Sequence, residues 1–183
     1  MNDPLELGLR IAQAFESQGV SYAIGGALAY GLWGIPRATM DIDINVFVGE
    51  EELGPVVDAL LELGCEIDTE RARADTARQG LFQTHLEDVR VDIFPSTIDF
   101  CDEAERCRAR HSIDNREAWF LSAESIAVFK AMFFRAKDIV DLERLVAVQG
   151  GDLDQAYVRR HLVEMMGEDD ERVTRWDEIT GAR

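Results

Sequence analysis

Residues 41–46 read Asp-Ile-Asp-Ile-Asn-Val, a strict alternation of polar and apolar side chains. Because successive side chains of a β-strand point to opposite faces, the alternation predicts a strand with one polar and one buried face. Asp41 and Asp43 would share the polar face. Residues 89–94 repeat the pattern, which predicts a second strand with Arg90 and Asp92 on one face.

Carboxylates that converge from adjacent strands repel one another unless a cation binds them. Mg²⁺ prefers carboxylate and water oxygens, and a pair of Mg²⁺ ions can clamp an in-line phosphoryl displacement. Asp41, Asp43 and Asp92 are therefore candidate metal ligands. The alternative is that they are solvated acidic residues at strand ends, as expected in an acidic chain.

The sequence before Asp41 favours the metal interpretation. Gly25 and Gly26 interrupt a predicted short strand, residues 20–24, and precede a predicted short helix, residues 27–32. Glycines at such a point let the backbone approach a phosphate and leave N–H groups available at the helix N-terminus. Most glycine pairs are only turns, but a glycine pair, a helix and two alternating carboxylates in succession form a more specific pattern.

The remaining periodicity predicts an α/β core followed by helices. We expect a first helix ending near residue 18, then further elements: a helix over 50–63, a possible strand over 65–68, a hairpin of 81–85 with 89–94, a helix or ordered loop over 99–110, and a last strand over 118–121. Helices follow over about 123–136, 139–149, 153–166 and on to 180. The sequence thus predicts a core over residues 1–121, with a small mixed sheet flanked by helices, and a helical C-terminal region over residues 122–183.

Composition narrows the possible functions. The chain has 183 residues and a formal net charge of −17, which argues against a broad basic surface that coats nucleic acid. No apolar run approaches the roughly 20 residues that span a bilayer, and the N-terminus lacks the pattern of a signal peptide. We therefore expect a cytoplasmic protein with no membrane partner. Three cysteines without Cys-x-x-Cys spacing indicate neither a disulfide framework nor a zinc site.

The glycine pair and the carboxylates resemble the signature of the nucleotidyltransferase (DNA polymerase β-like) superfamily. Arg37-x-Thr39 before the first carboxylate, with Arg135-x-Lys137-Asp138 later, further resembles the AbiEii-type toxin nucleotidyltransferases. The resemblance covers about residues 22–148 and implies the nucleotidyltransferase fold, a nucleoside triphosphate (NTP) substrate and a possible antitoxin partner.

The resemblance also implies roles for single residues. Gly25 and Gly26 would hold the triphosphate, and Asp41 and Asp43 would bind two Mg²⁺ ions, with Mn²⁺ as a possible substitute. Asp92 would serve the catalytic metal and help to activate the acceptor hydroxyl.

Three basic residues are candidates for binding the nucleotide. Arg37 could contact phosphate, and Lys130 and Lys137 are the chain's two lysines, seven residues apart. A lysine ammonium is a compact charge suited to a triphosphate. Alternatively, Lys130 extends along neighbouring phenylalanines and Lys137 forms an ion pair with Asp138. For Thr39 we favour a hydroxyl that closes the loop over one that orients Asp41.

The leading hypothesis is an enzyme that transfers a nucleoside monophosphate from an NTP to an acceptor. The acceptor could be a tRNA end, a protein side chain or a small molecule, so an antibiotic-modifying enzyme is an alternative to a toxin. A non-catalytic nucleotide-binding or partner-binding module is a second alternative. Arginines in two clusters could form an acceptor-binding patch, although we favour a solvated surface; they are Arg71, Arg73 and Arg78, and Arg106, Arg108, Arg110 and Arg116.

Overall fold

A computed structural model describes residues 3–181 of the chain. These residues form two compact units. The first, the sheet unit, contains the described residues up to Ala29 together with Arg37–Leu121. The second, the helical unit, contains Tyr30–Pro36 and the described residues from Ser122 onward. The sequence had not indicated that Tyr30–Pro36 would belong with the C-terminal helices.

Six β-strands of the sheet unit form one mixed sheet. The strands are β1 (Tyr22–Ile24), β2 (Asp41–Val46), β3 (Phe82–Leu86), β4 (Val89–Pro95), β5 (Ala109–Ile113) and β6 (Arg116–Phe120). Their order is β3-β4-β2-β1-β6-β5, with β2 antiparallel to β1 and parallel to β4. The expected small mixed sheet is thus confirmed. The edge strand β5 was not expected, because the charged residues before it suggested only a helix or loop.

Five helices alternate with these strands along the chain, and the second of them passes from the sheet unit into the helical unit at Tyr30. They are α1 (Pro4–Ser17), α2 (Gly26–Trp33), α3 (Gly54–Glu62), α4 (Thr69–Gln79) and α5 (Phe100–Cys107). The strand expected over residues 65–68 is wrong, because these residues form no strand and the last of them, Asp68, caps α4 by accepting a hydrogen bond from the Arg71 N–H. The helix expected over residues 50–63 is divided, because Pro55 starts α3 afresh after a short 3-10 turn at Glu50–Glu52.

Four α-helices of the described residues lie wholly within the helical unit. They are α6 (Ala123–Phe133), α7 (Ala136–Gln149), α8 (Gln155–Met166) and α9 (Glu171–Thr180). The Ser122 hydroxyl caps α6 by accepting from the Ser125 N–H. The helix ends earlier than expected because Phe134 takes a left-handed conformation with φ 53°. Among residues 3–181, no helix is long and apolar enough to cross a membrane.

Burial along β2 follows the predicted alternation. Ile42, Ile44 and Val46 are fully buried, and hydrophobic burial of this face fixes the register of the strand. Asp41 and Asp43 remain partly exposed on the opposite face. The core therefore determines which way the two carboxylates point.

Candidate active site

The register of β2 and β4 brings the predicted carboxylates together. Asp43 lies opposite Asp92, and Asp41 lies opposite Arg90. Paired residues on adjacent strands are about 5 Å apart at Cα. Three carboxylates and one guanidinium therefore project from one face of two neighbouring strands.

Arg90 bridges two of these carboxylates. Its Nη2 lies 2.6 Å from Asp41 Oδ2 and its Nε lies 3.1 Å from Asp92 Oδ1. The sequence placed Arg90 on the same face as Asp92 but indicated no role for it. Within the described residues, no three His, Cys, Asp or Glu side chains are grouped closely enough to bind one metal ion. The guanidinium instead compensates part of the negative charge.

Asp92 is the most buried of the three carboxylates, with 7% of its surface exposed. Gln83 Nε2 donates a hydrogen bond to its Oδ1 at 3.0 Å. Burial raises the pKa of the Asp92 carboxyl above its ordinary value, against the opposing effects of Arg90 and Gln83. Sequence reasoning missed Gln83. The hairpin register could have found it, because pairing of Leu86 with Val89 sets Gln83 opposite Asp92.

The glycine pair makes room for Asp43 and for a buried amide. A Cβ on Gly26 would lie 1.7 Å from Asp43 Oδ2, and Gly26 has a φ of +52°, so both space and backbone require glycine. Since Gly26 is the first residue of α2, the Asp43 carboxylate lies against the N-terminal backbone of that helix. A Cβ on Gly25 would lie 3.0 Å from Oδ1 of Asn45, a buried residue that sequence reasoning did not single out.

Thr39 orients Asp41. Its hydroxyl donates to Asp41 Oδ1 at 2.5 Å. The nearest acceptor is therefore the carboxylate itself, so the loop-closing role that we favoured does not describe this hydroxyl fully. Arg37 lies two residues earlier, in the exposed segment between α2 and β2. That segment leads directly into the carboxylate strand.

The two lysines occupy different environments in the helical unit. Lys130 is buried, with Nζ 2.7 Å from Asp141 Oδ2, 3.6 Å from Asp138 Oδ1 and 5.1 Å from the centre of the Tyr30 ring. Lys137 is exposed in the first turn of α7. The internal ion pair considered for Lys137 is therefore made by Lys130. Contact of either lysine with nucleotide phosphate stays a prediction.

The two arginine clusters are compensated by acidic neighbours. Every arginine of both clusters has a carboxylate oxygen within ion-pair distance; the pairs are Arg71–Asp75, Arg73–Glu70, Arg78–Asp75, Arg106–Glu103, Arg108–Glu105, Arg110–Glu117 and Arg116–Glu6. Exposed pairs of this kind contribute little to stability. They also leave little uncompensated positive charge to attract phosphate.

The carboxylate cluster fits a divalent cation by its chemistry. Asp41, Asp43 and Asp92 offer the hard oxygen ligands that Mg²⁺ and Mn²⁺ prefer. The ion pairs with Arg90 show that two of these carboxylates already favour a positive partner. Metal binding by Asp41, Asp43 and Asp92 stays a prediction.

Residues 6–176 match the model of a family described as "nucleotidyl transferase of unknown function (DUF2204)". The chain belongs to this family. The resemblance to the nucleotidyltransferase superfamily is therefore confirmed, and the family, together with the carboxylate site, supports a nucleotidyl-transferring enzyme. No curated protein matches the chain in sequence.

Solved nucleotidyltransferases share the fold. ANT(2")-Ia, in complex with adenylyl-2"-tobramycin, is 18% identical with a TM-score of 0.62, over 88% of this chain and 97% of that one. The lincosamide adenylyltransferase LnuA, bound to lincomycin, is 18% identical with a TM-score of 0.53, over 81% and 98%. A nucleotidyltransferase-like protein from Paracoccidioides brasiliensis is 14% identical with a TM-score of 0.51, over 93% and 92%.

Proposed function

We propose that the chain catalyses Mg²⁺-dependent transfer of a nucleoside monophosphate from an NTP to a hydroxyl group of a small molecule. The observation that carries the proposal is the placement of three carboxylates, on β2 and β4, beside a glycine pair at the N-terminus of α2. Helix N-termini favour phosphate, and clustered carboxylates favour divalent cations. The Mg²⁺-NTP complex satisfies both preferences.

In this proposal each group of residues binds a different part of the substrate complex. The backbone of Gly25 and Gly26 and the guanidinium of Arg37 bind the triphosphate, while the three aspartates hold the metal. Mg²⁺, when bound, supplies charge neutralisation for an in-line displacement. The acceptor oxygen forms a bond to the α-phosphorus as the bond to the bridging oxygen breaks, and pyrophosphate leaves. We assign the proton of the acceptor hydroxyl to Asp92, the role that the superfamily resemblance implies.

Charge supports a small acceptor over RNA. A polynucleotide is bound mainly through cationic side chains that contact its phosphates, but the arginines of both clusters are paired with carboxylates. The net charge of −17 would in addition repel a polyanion. Among the structural neighbours, ANT(2")-Ia is bound to an adenylylated aminoglycoside and LnuA to lincomycin. A cationic small molecule with a hydroxyl group fits the same charge preference.

The test is transfer of label from each of the four α-³²P NTPs in the presence of Mg²⁺. One arm offers a panel of hydroxyl-bearing cationic small molecules, a second offers total tRNA, and a third offers soluble protein. We expect labelled small molecule and pyrophosphate with wild-type protein and neither with Asp43→Asn. Label found only in the tRNA or protein arm would refute the small acceptor and favour the toxin hypothesis. Release of no pyrophosphate in any arm would refute transfer itself.

A further inference from the structure

Arg90 forms ion pairs with two members of the carboxylate cluster, one on each of the two strands. Asp41 is on β2 and Asp92 is on β4, and the guanidinium joins them at 2.6 Å and 3.1 Å. Resting on the function proposed above, we infer that Arg90 is a positioning residue that competes with the divalent cation for Asp41 and Asp92.

The geometry carries this inference because the same oxygen atoms are involved. Asp92 Oδ1 forms an ion pair with Arg90 Nε and accepts a hydrogen bond from Gln83 Nε2, and Asp41 Oδ2 accepts a hydrogen bond from Arg90 Nη2. A metal ion that coordinates these carboxylates either binds beside the guanidinium and is repelled by its charge, or displaces it, and either event lowers the affinity for the metal. Arginine is always protonated in proteins, so the competition does not depend on its titration.

The Arg90 guanidinium has room to move away from the carboxylates. The Arg90 side chain is 46% exposed, and its neighbour across the sheet is the exposed His85 of β3. A long, flexible side chain at such a position can swing into solvent without disturbing the core. Arg90 thus keeps the two carboxylates close together, at the expense of metal affinity.

This competition predicts a coupling between metal and nucleotide. A metal ion alone must displace Arg90 or bind beside its charge, whereas a metal ion that arrives with the triphosphate gains phosphate oxygens as further ligands. Arg90 would therefore weaken binding of the metal alone more than binding of the metal–NTP complex. The site would then bind the metal ion and the NTP together.

The test is a titration of the whole chain with Mn²⁺, in which electron paramagnetic resonance measures the concentration of the free ion. Two partly exposed ion pairs are lost in Arg90→Gln, so we expect its Kd for Mn²⁺ to fall by about three- to tenfold. Arg90→Lys keeps one positive charge without the planar fork and should lie between the two. Arg110→Gln is the matched control, because Arg110 pairs with Glu117 at similar exposure on the far edge strand of the same sheet. Its Kd should stay within twofold of wild type.

The outcomes separate this inference from the proposed function. If wild-type protein binds no Mn²⁺, or if Asp43→Asn binds it as well as wild type, the metal site itself is refuted. If binding depends on Asp43 but Arg90→Gln binds Mn²⁺ with unchanged or weaker affinity, only the competition is refuted. A purely structural role would lower the melting temperature of Arg90→Gln and leave the Mn²⁺ affinity no tighter. If Arg90→Gln does not fold, the Mn²⁺ affinity of Arg90→Lys is compared with that of wild type, and an affinity no tighter than wild type refutes the competition.

Discussion

Replacing Lys130 by methionine should strongly lower the free energy of unfolding, with little effect on catalysis well below the melting temperature. The Lys130 side chain is 9% exposed, and its two partners Asp138 and Asp141 are 1% and 5% exposed. Methionine keeps much of the volume but removes the charge, leaving two buried carboxylates without their lysine. Removing one partner of a buried ion pair typically costs about 3–5 kcal/mol. For a chain of this length that corresponds to a fall in melting temperature of roughly 6–20 °C.

The measurement is chemical denaturation of wild type, Lys130→Met and Lys137→Met, with NTP kinetics well below each melting temperature. Lys137 is the control, because it is an exposed lysine of the same unit and its substitution should change the free energy of unfolding by no more than about 0.5 kcal/mol. Adding Asp141→Asn to Lys130→Met should restore part of the loss, since it neutralises one buried carboxylate. A loss below about 1 kcal/mol, together with a raised KM for NTP, would refute the ion-pair reasoning and favour phosphate contact.

Other perturbations test the site and the helical unit separately. Asp43→Asn should abolish transfer while far-ultraviolet circular dichroism stays unchanged; retained turnover would contradict the metal assignment. Gly26→Ala should lower nucleotide affinity at least tenfold by calorimetry, because its Cβ would displace the Asp43 carboxylate; unchanged affinity would contradict the close approach. Thr39→Val should lower kcat/KM by about 10- to 150-fold through loss of one hydrogen bond to a charged group. Burial pushes the pKa of Asp138 up, but Arg135 and Lys130 hold it below its ordinary value. Stability from Asp138 should therefore be present above pH ~4 and decline as the pH falls through the lowered pKa, and Asp138→Asn should flatten that decline in acid unfolding curves.

Local patterns were enough to predict the strands that form the site. The alternation in residues 41–46 determines both the strand and its buried face, because the apolar side chains have only one core to enter. The edge strand β5 escaped prediction for the opposite reason. Its side chains are at least partly exposed on both faces, so no hydrophobic alternation marks it, and it exists because it pairs with β6.

The same distinction applies to the site residues. Asp41, Asp43 and Asp92 follow from strand periodicity, but Arg90 and Gln83 acquire their roles only from the register between strands. Long-range pairing of this kind is not a property of any short sequence window. Lys130 illustrates the limit most clearly. Its partners lie eight and eleven residues later, and only the packing of α6 against α7 makes them neighbours.

Charge balance connects the site residues to the order in which ligands bind. While Arg90 stays in place, its one positive charge opposes the three carboxylates, so these four side chains together carry two negative charges. A second Mg²⁺ therefore needs negative charge from elsewhere, and the triphosphate is the ligand that brings it. Glycine at position 26 lets that charge approach the start of α2, where the Asp43 carboxylate already lies. In the proposed reaction the nucleotide would approach Asp43 at this place, and metal ions bound to both groups would make that close approach favourable.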